Sequence, residues 1–251
     1  MNGLWTVSGS DIDVVIVFHS RMAYNQHQLV KHCGKIIKQV AKKGTLCYVP
    51  AIKVPLLKYQ DSLTGIDVDI SVNNVLAMYN SDLIYTYCQI EQRFHILAIF
   101  LKHWAKRVKI IGASNGYLSS YALTLLIIAF CQSRSPPVLP CLQERKLRSQ
   151  QPKTVYYPVP IEELESKKRR RSHYGNSQGS NPDSRVFCMI ETDAFFENNL
   201  NVIKKEYIGQ TRNTATVGQL LYEFFVFFLY EFDPNSQVIS VKEPSGFARK
   251  C

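Results

Sequence analysis

The run Ser8-Gly9-Ser10-Asp11-Ile12-Asp13-Val14-Val15-Ile16-Val17-Phe18 constrains this chain more than any other stretch. Asp11 and Asp13 lead into a continuous run of β-branched and aromatic residues, which reads as a buried strand. Side chains two apart on a strand share a face. The two carboxylates therefore aim together at one point at the strand's start. Like charges held that close repel unless a cation lies between them. Hard oxygen ligands of this kind suit Mg²⁺.

Gly65-Ile66-Asp67-Val68-Asp69-Ile70-Ser71-Val72 repeats the arrangement, with Asp67 and Asp69 alternating with apolar neighbours. If this strand lies beside the first, Asp69 or Asp67 completes a three-carboxylate cluster. Such a cluster is what two-metal phosphoryl or nucleotidyl transfer requires. A single acid pair of this form is equally the solvated start of an ordinary strand. Two pairs on strand-like runs in one small region favour the metal site.

An acidic cluster in a chain of net charge +10 points to an anionic substrate, nucleotide or nucleic acid. A basic balance by itself also fits a protein that binds neither. At 251 residues and 46% hydrophobic content the chain can bury one large core or two small ones. Its seven cysteines include no C-x-x-C and no zinc-like spacing. They read as reduced, intracellular core residues. No secretory leader is visible, and the apolar run at 118–131 is too short for a membrane span. The expected compartment is the cytoplasm, with mitochondrion and nucleus open, and no membrane partner is expected.

Taken in order, residues 1–74 read as a small α+β domain. A helix is expected over 21–43, ended by Gly44. An edge strand is expected at 46–57, where Pro50 and Pro55 sit, and a turn at 58–64. From Asn80 the texture turns helical, so 75–251 reads as a mostly helical domain. Residues 81–109 form one long amphipathic run or two helices. Residues 118–133 form an apolar helix, stopped by Pro136, Pro137 and Pro140. Residues 143–185 have the composition of a flexible loop and carry Lys167-Lys168-Arg169-Arg170-Arg171. That basic run suits RNA phosphates, a nuclear address or simple solvation. Residues 217–232 are a helix with aromatics almost all round it, which reads as core, and 238–241 a short strand.

Lys102 and Lys106 stand four apart on one helix face, where like charges repel. A triphosphate would offset that repulsion; an ordinary basic face is the plain alternative. Ser119-Ser120-Tyr121 opens a helix, where hydroxyls and free N–H groups make a phosphate-binding end, and the Tyr121 ring could carry a base. Alone, this is a cap followed by a core tyrosine.

In this order, Ser10-Asp11-Ile12-Asp13, Val68-Asp69-Ile70-Ser71-Val72-Asn73-Asn74, LKHWAKR, GYLSSYALTLL, PPVLPCLQ, Tyr230-Glu231-Phe232 and VISV resemble one family. It is the poly(A)/poly(U) polymerases, terminal RNA nucleotidyltransferases of the DNA polymerase β superfamily. The resemblance spans roughly residues 3–241, with 143–185 outside it. It implies an α+β architecture: a polymerase β-like palm domain followed by a mostly helical, PAP-associated nucleotide-binding domain. By match, Asp11, Asp13 and Asp69 hold Mg²⁺ or Mn²⁺, and Asp67 is a neighbour. Asn80 and Ser81 fall where the family contacts the ribose. Lys102 and Lys106 fall on the triphosphate, Ser120 on a phosphate and Tyr121 under the base. The implied reaction is attack of an RNA 3′-hydroxyl on the α-phosphate of an NTP.

The PPVLPCLQ segment resembles the uridylyltransferase branch, so UTP is expected ahead of ATP. The family's upstream Gly-Ser pair has no counterpart before Asn2-Gly3-Leu4, and the segment after VISV is short. The chain therefore reads as trimmed at both ends. The alternatives are a poly(A) polymerase using ATP and a catalytically silent RNA-binding relative.

Overall fold

The computed structural model describes residues 11–17, 26–50, 54–112, 116–144, 154–160, 187–207 and 213–250. The chain divides into two compact units. One comprises Val7–Asn80 with Lys153–Ala194; the other comprises Met1–Thr6, Ser81–Pro152 and Phe195–Cys251. The α+β class expected from the sequence is what the structure shows.

The first unit is built on a four-stranded sheet of order β1-β4-β3-β2, with β1 Ile12–Ile16, β2 Cys47–Val49, β3 Leu56–Gln60 and β4 Asp67–Val72. β1 runs parallel to β4; the other pairs are antiparallel. Because side chains alternate, each strand sorts its residues between two faces. One face carries Val14, Ile16, Tyr48, Leu57, Tyr59, Val68, Ile70 and Val72, packed under helix α1 (Gln26–Ile37) through Leu29, Val30, Cys33 and Ile37. Gly34 lets α1 settle close, since a Cβ there would stand 3.3 Å from Leu57 Cδ1. The other face takes the polar residues.

The helix over 21–43 is shorter than expected. It ends at Ile37, where backbone bonds such as Val40 N–H to Ile37 C=O close turns instead. Residues 18–25 lie outside the described residues. The turn expected at 58–64 is also corrected, because Lys58, Tyr59 and Gln60 belong to strand β3. The reversal comes just after, where the Asp61 carboxylate accepts from Leu63 N, Thr64 N and the Thr64 hydroxyl, and Gly65 takes φ +70°. Residues 154–160, expected as loop, form β5 (Thr154–Pro160), paired antiparallel with β6 (Phe187–Asp193). The basic run 167–171 lies outside the described residues.

Helix begins earlier than Asn80. Asn73, at φ +52°, donates its N–H to Ile16 C=O and ends β4, and α2 runs Val75–Ile90. The long run after it is two helices. Glu91 is extended, its carboxylate caps the Arg93 N–H at 3.0 Å, and α3 (Gln92–Arg107) starts anew. Arg93 also bridges to Asn213 Oδ1 and Ala215 C=O, tying α3 to distant sequence.

In the second unit α3 buries Phe94, Leu97, Ala98, Leu101 and Ala105 along one stripe. It packs on α4 (Ser120–Ser133) and on α6 (Val217–Val226), with α5 (Leu200–Tyr207) between them in sequence. A capping box of Thr216 and Gln219 opens α6. Beyond Val226 it continues as a π-helical turn, Phe227–Glu231. Phe224, Phe227, Phe228 and Phe130 make edge-on and tilted ring contacts, so the aromatic helix is core, as its sequence suggests. Trp104 joins it edge-on to Phe225 at 5.0 Å. A hairpin of β7 (Gln237–Ile239) and β8 (Phe247–Arg249) completes the unit. No helix among the described residues is long and apolar enough to cross a membrane.

Candidate active site

The polar face of the sheet is fixed by register. Asp13 pairs directly with Asp69 across the parallel β1–β4 ladder, and Asp69 with Lys58 across the antiparallel β4–β3 ladder. Directly opposed residues share a face, so Asp13, Asp69 and Lys58 stand abreast on three neighbouring strands. One row away, Asp67 pairs with Gln60. Asp11 precedes β1 by one residue, in phase with Asp13. The apolar residues on the opposite face leave this row no choice: a slip by one would bury all the carboxylates.

The electrostatics follow from that crowding. Lost hydration, then the charges of Asp69 and Asp11, raise the Asp13 carboxyl above the usual carboxylate value, against a pull from Lys58. Lys58 Nζ makes an ion pair with Asp69 Oδ2, and that bond raises the lysine. Gln60 Nε2 donates to Asp67 Oδ1 at 3.5 Å, and Lys42 Nζ donates to Gln60 Oε1 at 2.8 Å.

The donor set fits a hard divalent cation: three carboxylates on one face, two of them strand-opposed, with mutual repulsion still present. Yet among the described residues no three acidic, histidine or cysteine side chains are gathered closely enough to hold a metal ion. The expected three-carboxylate cluster is therefore aligned rather than closed. Asp69 is paired with Lys58, and Asp11 and Asp69 repel Asp13. Sequence reading missed Lys58. Its signal was the alternation Leu57-Lys58-Tyr59-Gln60, which places Lys58 and Gln60 in phase with Asp69 and Asp67 once β3 is seen as a strand.

The residues expected to hold nucleotide lie on helices. Asn80 and Ser81 sit within α2, both half-buried. Lys102 and Lys106 occupy α3 one turn apart; Lys102 is half-buried and Lys106 exposed. Burial first, and then the Lys106 charge, lowers Lys102 below the ordinary lysine value. Beside it, burial pushes the Cys88 thiol up to about 12. At α4 the two serines divide: Ser119 is the cap, accepting from Ala122 N at 3.0 Å, while Ser120 is the first helical residue. Tyr121 is 39% exposed, which leaves a ring edge open, and partial burial raises its phenol.

The PPVLPCLQ segment packs into the core of its unit. Val138, Leu139, Cys141 and Leu142 are buried, and the Leu142 N–H donates to the Tyr87 hydroxyl. Gln132 Nε2 donates to the same hydroxyl at 3.0 Å and to Pro140 and Val241 carbonyls at 3.3 Å. This is a polar knot inside a core, joined through the Gln132 amide nitrogen, while the buried Gln132 Oε1 has no hydrogen-bond partner among the described residues. A polar cavity of about 630 Å³ opens in the same unit beside Arg134, Asn213, Gln219 and Glu231. The Arg134 guanidinium lies over the Phe130 and Phe227 rings at 4.5 and 4.8 Å. Sequence reading gave this cavity no place.

Comparison with known proteins bears on both units. Residues 1–89 match the family described as poly(A) RNA polymerase, mitochondrial-like, central palm domain. Terminal uridylyltransferase 4 of Mus musculus is 29% identical over 237 residues, 93% of this chain and 12% of that protein. Poly(A) RNA polymerase GLD2 of Xenopus tropicalis is 28% identical over 253 residues, 99% of this chain and 40% of that protein. The crystal structure of the Cid1 poly(U) polymerase with Mg and 3′-dATP superposes with a TM-score of 0.69 at 23% identity, covering 99% of this chain and 64% of that one. That last likeness speaks to the fold. The chain thus spans 12% of one curated relative and 40% of the other.

Proposed function

We propose that this chain, a relative of the terminal uridylyltransferases and poly(A) RNA polymerases with its palm in residues 1–89, transfers UMP from UTP to RNA 3′ ends without a template. The observation that carries the reading is the strand-opposed pair Asp13 and Asp69, with Asp11 in phase, on the open face of the sheet. These three carboxylates would hold Mg²⁺ or Mn²⁺, which supplies activation of the RNA 3′-hydroxyl and charge relief for the leaving pyrophosphate. Their own contribution is to set two carboxylates at β1 and one on β4 along one face, with apolar packing behind them.

Lys102 and Lys106 would neutralise the triphosphate, and the lowered Lys102 is the expected mark of an ammonium waiting for an anion. Ser120 would hydrogen-bond a phosphate and Tyr121 would carry the base. Asn80 and Ser81 would meet the ribose, where a 2′-hydroxyl separates NTP from dNTP. The preference for UTP is supported by the uridylyltransferase relatives, which cover 93% of this chain. ATP is the competing substrate, supported by the poly(A) polymerase relatives. The proposed compartment is the cytoplasm.

The test is extension of a labelled RNA by the purified chain with Mg²⁺ or Mn²⁺ and each NTP separately. Lengthening with UTP is expected, and Asp13→Ala should lower it on the order of a thousandfold without loss of fold. Preference for ATP would replace the substrate. RNA binding without incorporation of any NTP would replace the enzyme with a silent RNA-binding relative.

A further inference from the structure

Lys58 is the feature of the sheet that the reaction scheme above does not use. It stands in the same register row as Asp13 and Asp69, and its ammonium bonds Asp69 Oδ2. The exposures of the two side chains differ: 44% for Lys58 and 14% for Asp69. The acid is held by the sheet, whereas the lysine stem reaches into solvent and has somewhere to go. In the adjoining row the geometry is different. Asp67 meets the neutral amide of Gln60, and the second ammonium, Lys42, is kept on the far side of that amide. The sheet thus places a direct cation on the third carboxylate and an indirect one on its neighbour.

An ammonium and a divalent cation compete for the same lone pairs of a carboxylate. The ammonium also repels a dication approaching the other oxygen. We propose that Lys58 is an ionic latch on Asp69, one that must swing into solvent before a divalent cation can bind there. This rests on the reading of Asp69 as a metal ligand. Lys58 is a positioning residue: it sets the charge state that the carboxylate row presents and sets how tightly the row takes its ion. With the latch closed, the metal-free sheet carries one fewer uncompensated charge. With it open, Asp69 is free to turn toward Asp13. The latch accounts for why the three acids share a face and yet are not gathered into a metal-holding group.

The experiment is Mn²⁺ binding to the purified chain without nucleotide, followed by the loss of the free-ion electron paramagnetic resonance signal. Thermal unfolding in chelator serves as the check on folding. Lys58→Met should bind Mn²⁺ about threefold to tenfold tighter than the unmodified chain, the scale expected for a half-exposed ion pair. Lys58→Gln, uncharged but polar, should show the same gain, so the test survives if the methionine variant folds poorly. Lys58→Arg, which keeps the charge, should bind no tighter than the unmodified chain. In an Asp69→Asn background the gain from Lys58→Met should vanish. Unchanged or weaker binding in both uncharged variants, with Asp69→Asn still losing affinity, overturns the latch and leaves the metal site standing. Equal Mn²⁺ binding by the unmodified chain and by Asp69→Asn overturns the metal site itself, and the latch with it.

Discussion

In the sheet unit one helix covers one face of four strands, and the opposite face carries Asp11, Asp13, Asp67, Asp69 and Lys58, with the Asp69 side chain 14% exposed. In the helical unit α3 is packed by α4 and α6, and Lys102, Lys106 and Arg107 lie toward its C-terminal end. Both units concentrate like charge, of opposite sign. The sheet tolerates its carboxylates because water and Lys58 reach them. The helix holds Lys102 half-buried, where hydration is poorer and the penalty shows as a lowered ammonium. The difference teaches where each unit keeps its reserve of stability. The helical unit has a deep core that can carry a strained cation. The sheet unit has a thin core and keeps its charges at the surface.

The comparison breaks first under truncation of the deep core. Phe130 is fully buried among Phe224 and Phe227 under the Arg134 guanidinium. Phe130→Ala should cost about 3–5 kcal/mol in unfolding by denaturant. If the units melt separately, that loss falls on one transition only; a uniform shift of a single transition would show that they melt as one.

A smaller effect sharpens the charge contrast. Because the lowered Lys102 means the charged form is penalised in the fold, Lys102→Met should raise the melting temperature while weakening nucleotide binding about tenfold. A fall in melting temperature would show that the ammonium is stabilising and remove the contrast.

The smallest effect concerns pH. Asp13 is raised in the folded chain, so between its ordinary value of 3.8 and the raised one the folded state holds more proton than the unfolded state. Stability should therefore decrease as pH climbs through that window. Asp13→Asn should flatten this slope and raise stability at neutral pH. A steeper slope in the variant would reverse the sign assigned to Asp13. Lys58 has the same sign in a higher window: raised by its bond to Asp69, its stabilising contribution is full below 10.5 and is lost as pH rises through its folded value.

Much of this was legible in the chain. The acid-bearing strands announced themselves because alternation of period two survives in Asp11-Ile12-Asp13 and Asp67-Val68-Asp69, and the structure sets them side by side. Helix α4 and its Ser119 cap, and the aromatic helix, were readable from local composition. What failed were features decided at long range. Lys58-Tyr59-Gln60 looks like a turn because one face of an open sheet is polar; only pairing with β4 makes it a strand. Strand β5 was hidden by Pro158 and Pro160, which a two-stranded hairpin accepts. The early start of α2 was hidden by Asn73-Asn74, where a buried left-handed asparagine ends the strand. The likeness of PPVLPCLQ to the uridylyltransferase branch gives no sign that Val138, Leu139, Cys141 and Leu142 pack into a core.

The parallel β1–β4 pairing also sets an order of events. Parallel neighbours need a long crossover, and here Asp13 must wait for Asp69, with α1, β2 and β3 made in between. A nascent chain emerging from the ribosome carries its first acid pair long before the partner strand exists. A divalent ion held by all three carboxylates, as proposed, would have to wait until β4 pairs with β1. On the proposed reading, pairing of β4 with β1 is the step that would complete the site, and a chain interrupted before β4 would carry Asp11 and Asp13 without their strand-opposed partner.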